Sequence, residues 1–131
     1  MKKDDELDPL LKKVAREGGT EAPYSGKYVH ETAEGTYNCA VCDNPLFPST
    51  AKFDTKLPGV MGWPSFEDAI PNSVEFRPDT SMGMNRTEIL CSNCNAHLGH
   101  VFEDNSETKT GKHYCVNSVC LELKKRADQT R

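Results

Sequence analysis

No stretch of the 131 residues is apolar for long enough to cross a membrane as a helix. The opening residues, Met1 to Asp8, are mostly charged and lack the apolar core of a secretion signal. Nor is there an excess of positive charge, since 16 Lys and Arg face 20 Asp and Glu for a formal charge of −4. That balance argues against general affinity for nucleic acid or anionic membranes, and it is silent about substrate. Low-complexity tracts are absent, and tryptophan occurs once, as Trp63. What remains, 36% hydrophobic and 27% charged, is the profile of one soluble domain long enough to bury a core. The missing signal predicts a cytoplasmic protein.

Cysteine, by contrast, is plentiful. In a secreted domain six would suggest three disulfides, but four of them form two Cys-x-x-Cys pairs in a chain without a signal. Cys39-Ala-Val-Cys42 is followed by Leu46, and Cys91-Ser-Asn-Cys94 by Leu98, so the pairs form a weak internal repeat. Two thiolates spaced this way turn toward one ion from a tight turn, and a second turn completes a tetrahedron. Cys39, Cys42, Cys91 and Cys94 therefore predict one closed, structural zinc site per chain; iron is an alternative occupant in vitro. A thioredoxin-type dithiol needs a βαβ setting that this chain does not show.

One helix is well punctuated. Asp8 caps it, Pro9 suits its first position and Gly18-Gly19 end it. Leu10, Leu11 and Val14 form its apolar stripe, with Lys12, Lys13 and Arg16 toward its C-terminal end. Thr20 to Lys27 reads as an irregular arm. Extended pieces are expected at Gly35–Cys39, Glu75–Arg77, Thr87–Cys91, His100–Phe102 and Lys112–Leu123. Turns or loops are expected at Pro58-Gly59, Pro71-Asn72 and Asp104-Asn105. The fold class is mainly β, antiparallel, with one or two helices at its start. Residues 1–131 make one domain, with an N-terminal helical extension (1–15), a core (16–123) and a solvated basic tail (124–131).

Cys115 and Cys120 lie outside the metal set. Alternation along His113-Tyr114-Cys115-Val116-Asn117 places His113, Cys115 and Asn117 on one face, a polar setting for a thiol. Taken alone the segment leaves open an inert core cysteine. Trp63, in Gly62-Trp63-Pro64-Ser65-Phe66, sits in a loop where packing does not obviously need it, though a core aromatic is the alternative. His97 and His100 are extra ligands, structural residues, or free for chemistry.

Together these segments resemble the signature blocks of the B-type methionine-R-sulfoxide reductases. Cys39-Ala-Val-Cys42, Gly62-Trp63-Pro64-Ser65-Phe66, Cys94 through Phe102 and Tyr114-Cys115-Val116-Asn117-Ser118 carry the likeness. Gly18 through Gly26 and Lys52-Phe53-Asp54 add to it, so it spans about Arg16 to Leu123. The resemblance implies a β-tent of antiparallel sheets and a monomeric thiol enzyme with no organic cofactor. It implies that Cys115 attacks the sulfoxide sulfur while His97 and His100 help protonate the oxygen. Asn117 is implied to hydrogen-bond near the reacting centre, with Trp63 and Phe102 lining the pocket for the substrate methyl. The substrate implied is oxidised methionine, in proteins or free, and the reductant is thioredoxin or another thiol. The R preference comes from the resemblance alone.

Two positions depart from the family pattern. Met61 stands where many members carry a recycling cysteine, which leaves Cys120 as the spare thiol. Five residues of extended strand span about 16 Å and end on the opposite face, too far for a disulfide. Direct attack of an external thiol on Cys115 is therefore expected. His113 stands where arginine is common, and histidine can tune the nucleophile as a cation only while protonated. A non-catalytic zinc-bound β module that binds a protein partner is the rival reading; it does not need Cys115, Trp63, His97 and His100 together. A nucleic-acid zinc ribbon is disfavoured by the negative charge.

Overall fold

The structure is a computed structural model, described here for residues 6–56, 60–80, 83, 85–103 and 107–125. The turns expected at Pro58-Gly59 and Asp104-Asn105 lie outside the described residues, wholly or in part, as does the chain end from 126.

The helix α1 spans Pro9–Ala15, and Asp8 caps it by accepting from the Leu10 N–H at 3.1 Å. Gly18 then takes φ +73°, the left-handed region that glycine enters without penalty. Leu11, Val14 and Ala15 form the buried stripe, whereas Leu10, expected within it, is 42% exposed. The stripe simply starts one residue later, because seven residues turn only one narrow face inward.

Among the described residues nine strands follow: β1 (Gly35–Cys39), β2 (Pro45–Pro48), β3 (Lys52–Phe53), β4 (Ser65–Phe66), β5 (Val74–Asp79), β6 (Arg86–Cys91), β7 (His97–Phe102), β8 (His113–Val116) and β9 (Leu121–Lys125). They form two antiparallel sheets, β2-β1-β9 and β3-β4-β8-β7-β6-β5. The expected long strand from Lys112 to Leu123 is in fact two. Asn117 and a 3-10 turn at Ser118–Cys120 break it, sending β8 into one sheet and β9 into the other. β9 reaches Lys125 and pairs with β1, two residues into the stretch expected as a tail. The short strands β2 and β4 escaped the sequence reading because they are two to four residues long and flanked or ended by proline.

The two sheets close over an aromatic core. Phe47 and Tyr37 from the small sheet meet Phe66 and Tyr114 from the large one, with Phe47 stacked on Phe66 at 4.5 Å and Tyr37 edge-on to it at 5.1 Å. Phe66 is fully buried, and its truncation to Ala is worth about 3–5 kcal/mol. That packing fixes β4, and β4 in turn is the neighbour of β8.

Candidate active site and metal centre

The two cysteine knuckles are built alike. The N–H that follows each second cysteine returns to the carbonyl of the first, Asp43 to Cys39 and Asn95 to Cys91, both at 2.8 Å. The first cysteine of each donates to a carbonyl further on, Cys39 to Asn44 and Cys91 to Ala96. Asp43 and Asn95 sit at φ +68° and +61°, a conformation that short polar side chains tolerate. The sequence repeat is thus a repeat of backbone geometry. The four Sγ atoms lie within 4.8 Å of one another, Cys39 to Cys94 at 3.8 Å and Cys42 to Cys91 at 3.6 Å. Zinc–sulfur bonds of about 2.3 Å in a tetrahedron put the sulfurs about 3.8 Å apart. Donor set and size both fit such an ion. Without a cation the thiols compete: hydrogen bonds from Cys39 and Cys94 hold Cys91 far below the ordinary thiol range, while the bond with Cys91 pushes Cys39 far above it. A divalent cation resolves that competition by taking all four as thiolates.

Strand register assembles the second site. Cys115 on β8 stands opposite Ser65 on β4 and opposite His100 on β7. The row continues to Glu88 on β6 and Arg77 on β5. Directly paired residues share a face, so five strands deliver one polar row to the same surface, with Phe102 beside it. The opposite face, with Phe66, Tyr114, Val116, Val101 and Ile89, is core.

His97 and His100, three residues apart, would face opposite ways in a regular strand. The β6–β7 register shifts here: Ile89 pairs with Gly99 but Leu90 with His97, so Leu98 is an extra residue. The bulge turns both imidazoles to one side, ring centroids 5.5 Å apart. Each ring is held by a carboxylate, His97 Nδ1 by Glu88 at 2.6 Å and His100 Nε2 by Asp79 at 2.7 Å. Each carboxylate also meets an arginine, Arg77 at Glu88 (2.8 Å) and Arg86 at Asp79 (3.4 Å). Burial lowers the His100 pKa and outweighs the Asp79 bond that raises it, so the ring is mostly neutral near pH 7.

A cleft of about 130 Å³ opens at Cys115, lined by Thr20, Trp63, Arg86, His100, Phe102 and Asn117 among others. The structure thus brings together Cys115, His100, Asn117, Trp63 and Phe102 as the sequence suggested. His97 stands one step back, lining a wider neighbouring groove with Glu88 and Arg77. Asn117 lies past the end of β8, and its amide is spent on the scaffold: Oδ1 accepts from the Glu21 N–H at 3.0 Å and Nδ2 donates to the Leu98 carbonyl at 3.0 Å. Trp63 donates Nε1–H to the Glu21 carbonyl at 3.1 Å. Gly99 is required by this arrangement, because a Cβ there would lie 2.0 Å from the Cys115 carbonyl oxygen.

Cys115 is partly exposed, yet burial, followed by the nearby charge of Glu21, pushes its thiol up to about 12. The resting group is a thiol. The expected activation by His113 does not apply to this arrangement. His113 is fully buried, its Nε2 is 2.8 Å from the Ser65 hydroxyl, and its ring lies between Phe53 and Phe102. Desolvation holds it below the ordinary histidine value, so it is neutral near pH 7. Cys120 is buried as well, with its S–H donating to the His97 carbonyl at 3.3 Å. What isolates it from Cys115 is core packing in the 3-10 turn, not the span of a continuous strand. Sequence reasoning missed Glu21, Asp79, Arg86 and Glu88; alternation on β6 signals only that Arg86 and Glu88 share a face.

Comparison with known proteins assigns the chain a family. A model of the SelR domain matches residues 7–125. Over 122 residues the chain is 53% identical to the peptide methionine sulfoxide reductase MsrB of Pseudomonas entomophila (strain L48), covering 92% of this chain and 88% of that protein. The protein of the same name from Leifsonia xyli subsp. xyli (strain CTCB07) is 45% identical over 119 residues, covering 90% and 83%. The chain belongs to the SelR-domain family of MsrB enzymes. The crystal structure of the Mis18 "Yippee-like" domain shares the fold, with TM-score 0.52 and 19% identity over 70% of this chain and 96% of that one. Among the described residues no helix is long and apolar enough to cross a membrane.

Proposed function

We propose that the protein reduces methionine-R-sulfoxide, in proteins or free, to methionine, with Cys115 as the nucleophile. The observation that carries this is the partly exposed Cys115 in a cleft walled by Trp63, Phe102 and His100, in a chain of this family. The sulfoxide methyl packs against the two aromatic rings, an apolar contact suited to their faces. His100 Nε2 donates to Asp79, which leaves Nδ1 of the neutral ring as its acceptor. His100 accepts the Cys115 proton and passes it to the sulfoxide oxygen, so a thiol of high resting pKa can attack without ionising beforehand. The Cys115 sulfur attacks the sulfoxide sulfur, and the oxygen departs with the cysteine. Methionine is released as the reduced product, and Cys115 becomes a sulfenic acid, with no net proton change. A first external thiol then forms a mixed disulfide with Cys115 and releases water, and a second thiol restores Cys115.

Thioredoxin or a small thiol fills this role directly, since Cys120 is packed in the core. His97, held by Glu88, supports His100 from behind the cleft. The four-cysteine cluster holds zinc as a closed structural ion. Cysteines outside any disulfide suit a reducing cytoplasm. The test is incubation of each sulfoxide epimer with a dithiol. The R epimer is consumed and the S epimer is not, and Cys115→Ser is inactive while its melting temperature stays within a few degrees. Equal turnover of both epimers, or activity in the variant, overturns the reading.

A further inference from the structure

The N-terminal arm carries a buried acid that the reaction above does not use. Glu21 is 2% exposed. Its carboxylate accepts from the N–H groups of Ser118 (2.8 Å) and Val119 (2.9 Å), the first residues of the turn that follows β8. Its own N–H holds the Asn117 amide and its carbonyl holds the Trp63 indole. One residue of the arm therefore touches both the turn after β8, from Asn117 to Val119, and the Trp63 loop, while the arm around it has no strand or helix of its own. Tyr28, further along the arm, adds a bond from its N–H to the Ser118 hydroxyl at 3.0 Å.

We infer that Glu21 is a positioning residue for the reaction, a buried carboxylate that clamps the arm onto the turn after Cys115 and sets Trp63 and Asn117 as walls of the cleft. Its charge has a second consequence: burial raises the Glu21 pKa while the bonds from Val119 and Ser118 lower it, and the ionised carboxylate adds to burial in opposing a thiolate at Cys115. The resting nucleophile stays protonated and resists oxidants that attack thiolates, and it loses its proton only when the sulfoxide and His100 take it. The other titratable and charged groups about Cys115 are His100 on β7, Arg86 on β6 and His113 on its own strand face, with Asp79 behind His100. Asp8, Lys27 and Glu122 line a second, separate cleft that Glu21 also borders. Of these, Glu21 alone bonds the turn and the two wall residues together.

The inference rests on Cys115 as nucleophile, and it is tested partly without substrate so that the two can fail separately. In Glu21→Gln the amide keeps one acceptor but turns an N–H toward the second backbone N–H. Three readouts apply: kcat for the R sulfoxide, emission of the sole tryptophan, and the pH profile of alkylation at Cys115 followed by mass spectrometry. The expected result is a kcat at least about tenfold lower, a shifted Trp63 emission, and an alkylation midpoint below that of the wild type. Glu21→Asp keeps the charge but withdraws it by one methylene, so kcat falls while the midpoint stays. Should Glu21→Gln fail to fold, Glu21→Asp carries the test, and unchanged kcat there overturns the clamp. Reduced activity with an unmoved midpoint in folded Glu21→Gln overturns the electrostatic part and leaves only a structural bond. Wild type that alkylates as expected yet reduces no sulfoxide counts against the proposed reaction, not against Glu21.

Discussion

The metal centre and the cleft at Cys115 are built by opposite means. Each knuckle is a local object: one turn supplies two thiols, the same hydrogen bonds recur, and only one long-range meeting is needed. The cleft draws its walls from the arm, the Trp63 loop, β6, β7, β8 and the turn beyond it. The arm, the Trp63 loop, the β6–β7 hairpin and β8 with its turn lie far apart in the chain. They meet because of register on one sheet and because Glu21 ties the arm in place. A site made of local turns can be read from spacing, whereas a site made of register can be read only where single residues announce chemistry.

Breaking the local site should have the largest effect. Cys91→Ser removes one of four thiols from a cluster that fits a metal ion, and an ion bound in a closed site contributes folding energy outright. We expect a loss of about 5 kcal/mol or more, enough to unfold most of the protein at room temperature. Metal analysis with thermal unfolding checks this. A folded, metal-free variant with native melting would mean that the aromatic core between the sheets holds the two knuckles together unaided.

Breaking the register should come next. In Gly99→Ala the new Cβ meets the Cys115 carbonyl, a backbone atom that cannot swing aside. Overpacking of this kind costs about 3 kcal/mol, and here it also pushes β8 away from β7, so kcat falls further than stability. Urea unfolding and kcat on the same samples separate the two. Loss of stability with full activity would show that the cleft tolerates a displaced strand.

These contrasts explain what the sequence made legible. The four-cysteine cluster needed only the two-residue spacing, and β1 runs from Gly35 to Cys39 as expected because Gly35 and the first knuckle frame it. The proximity of His97 and His100 was not legible, because it depends on the bulge at Leu98, and Gly99 beside it signals equally a bulge or the close backbone approach it makes to Cys115. The break after Asn117 was invisible for a related reason: Lys112 to Leu123 alternates well enough for one strand, and the turn is held by Glu21, far away in the chain. Alternation assigns His113 and Cys120 a face but no burial, and only Cys120 lies past the break after β8. The structure gives both of them burial.

Cys120 offers a smaller test. Cys120→Ser keeps a donor for the His97 carbonyl, and the cost is about 1 kcal/mol for placing a hydroxyl in the core. Turnover with a thioredoxin should stay within about twofold of wild type, since an equal barrier gives an equal rate. Oxidised wild type should show sulfenic acid or a mixed adduct at Cys115. A stoichiometric Cys115–Cys120 disulfide, with turnover lost in the variant, would show that the 3-10 turn opens during the cycle.

The smallest effect separates a buried neutral His113 from the tuning cation that its position suggests. Its pKa is lowered by burial, with Glu107 opposing, so the folded ring binds a proton only below the ordinary value near 6.5. The unfolded chain binds that proton at about 6.5. Stability from a neutral buried histidine is therefore fully present above about pH 6.5 and is lost as pH falls from there through the lower folded value. In His113→Asn, which keeps an amide able to bond Ser65, this part of the pH dependence disappears. Urea unfolding at pH 7.5, 6.5 and 5.5 should show wild type losing more stability than the variant over the last step. The difference should stay under about 1.4 kcal/mol, the ceiling for one proton per pH unit. His100, also lowered by burial, titrates in both proteins and cancels in the comparison. The same neutrality carries to the nucleophile: a gap in Cys115 alkylation between wild type and His113→Arg stays open at pH 6 instead of closing. Parallel stability profiles together with a gap that closes would show that His113 is charged when folded, and the activating cation would then be His113 after all.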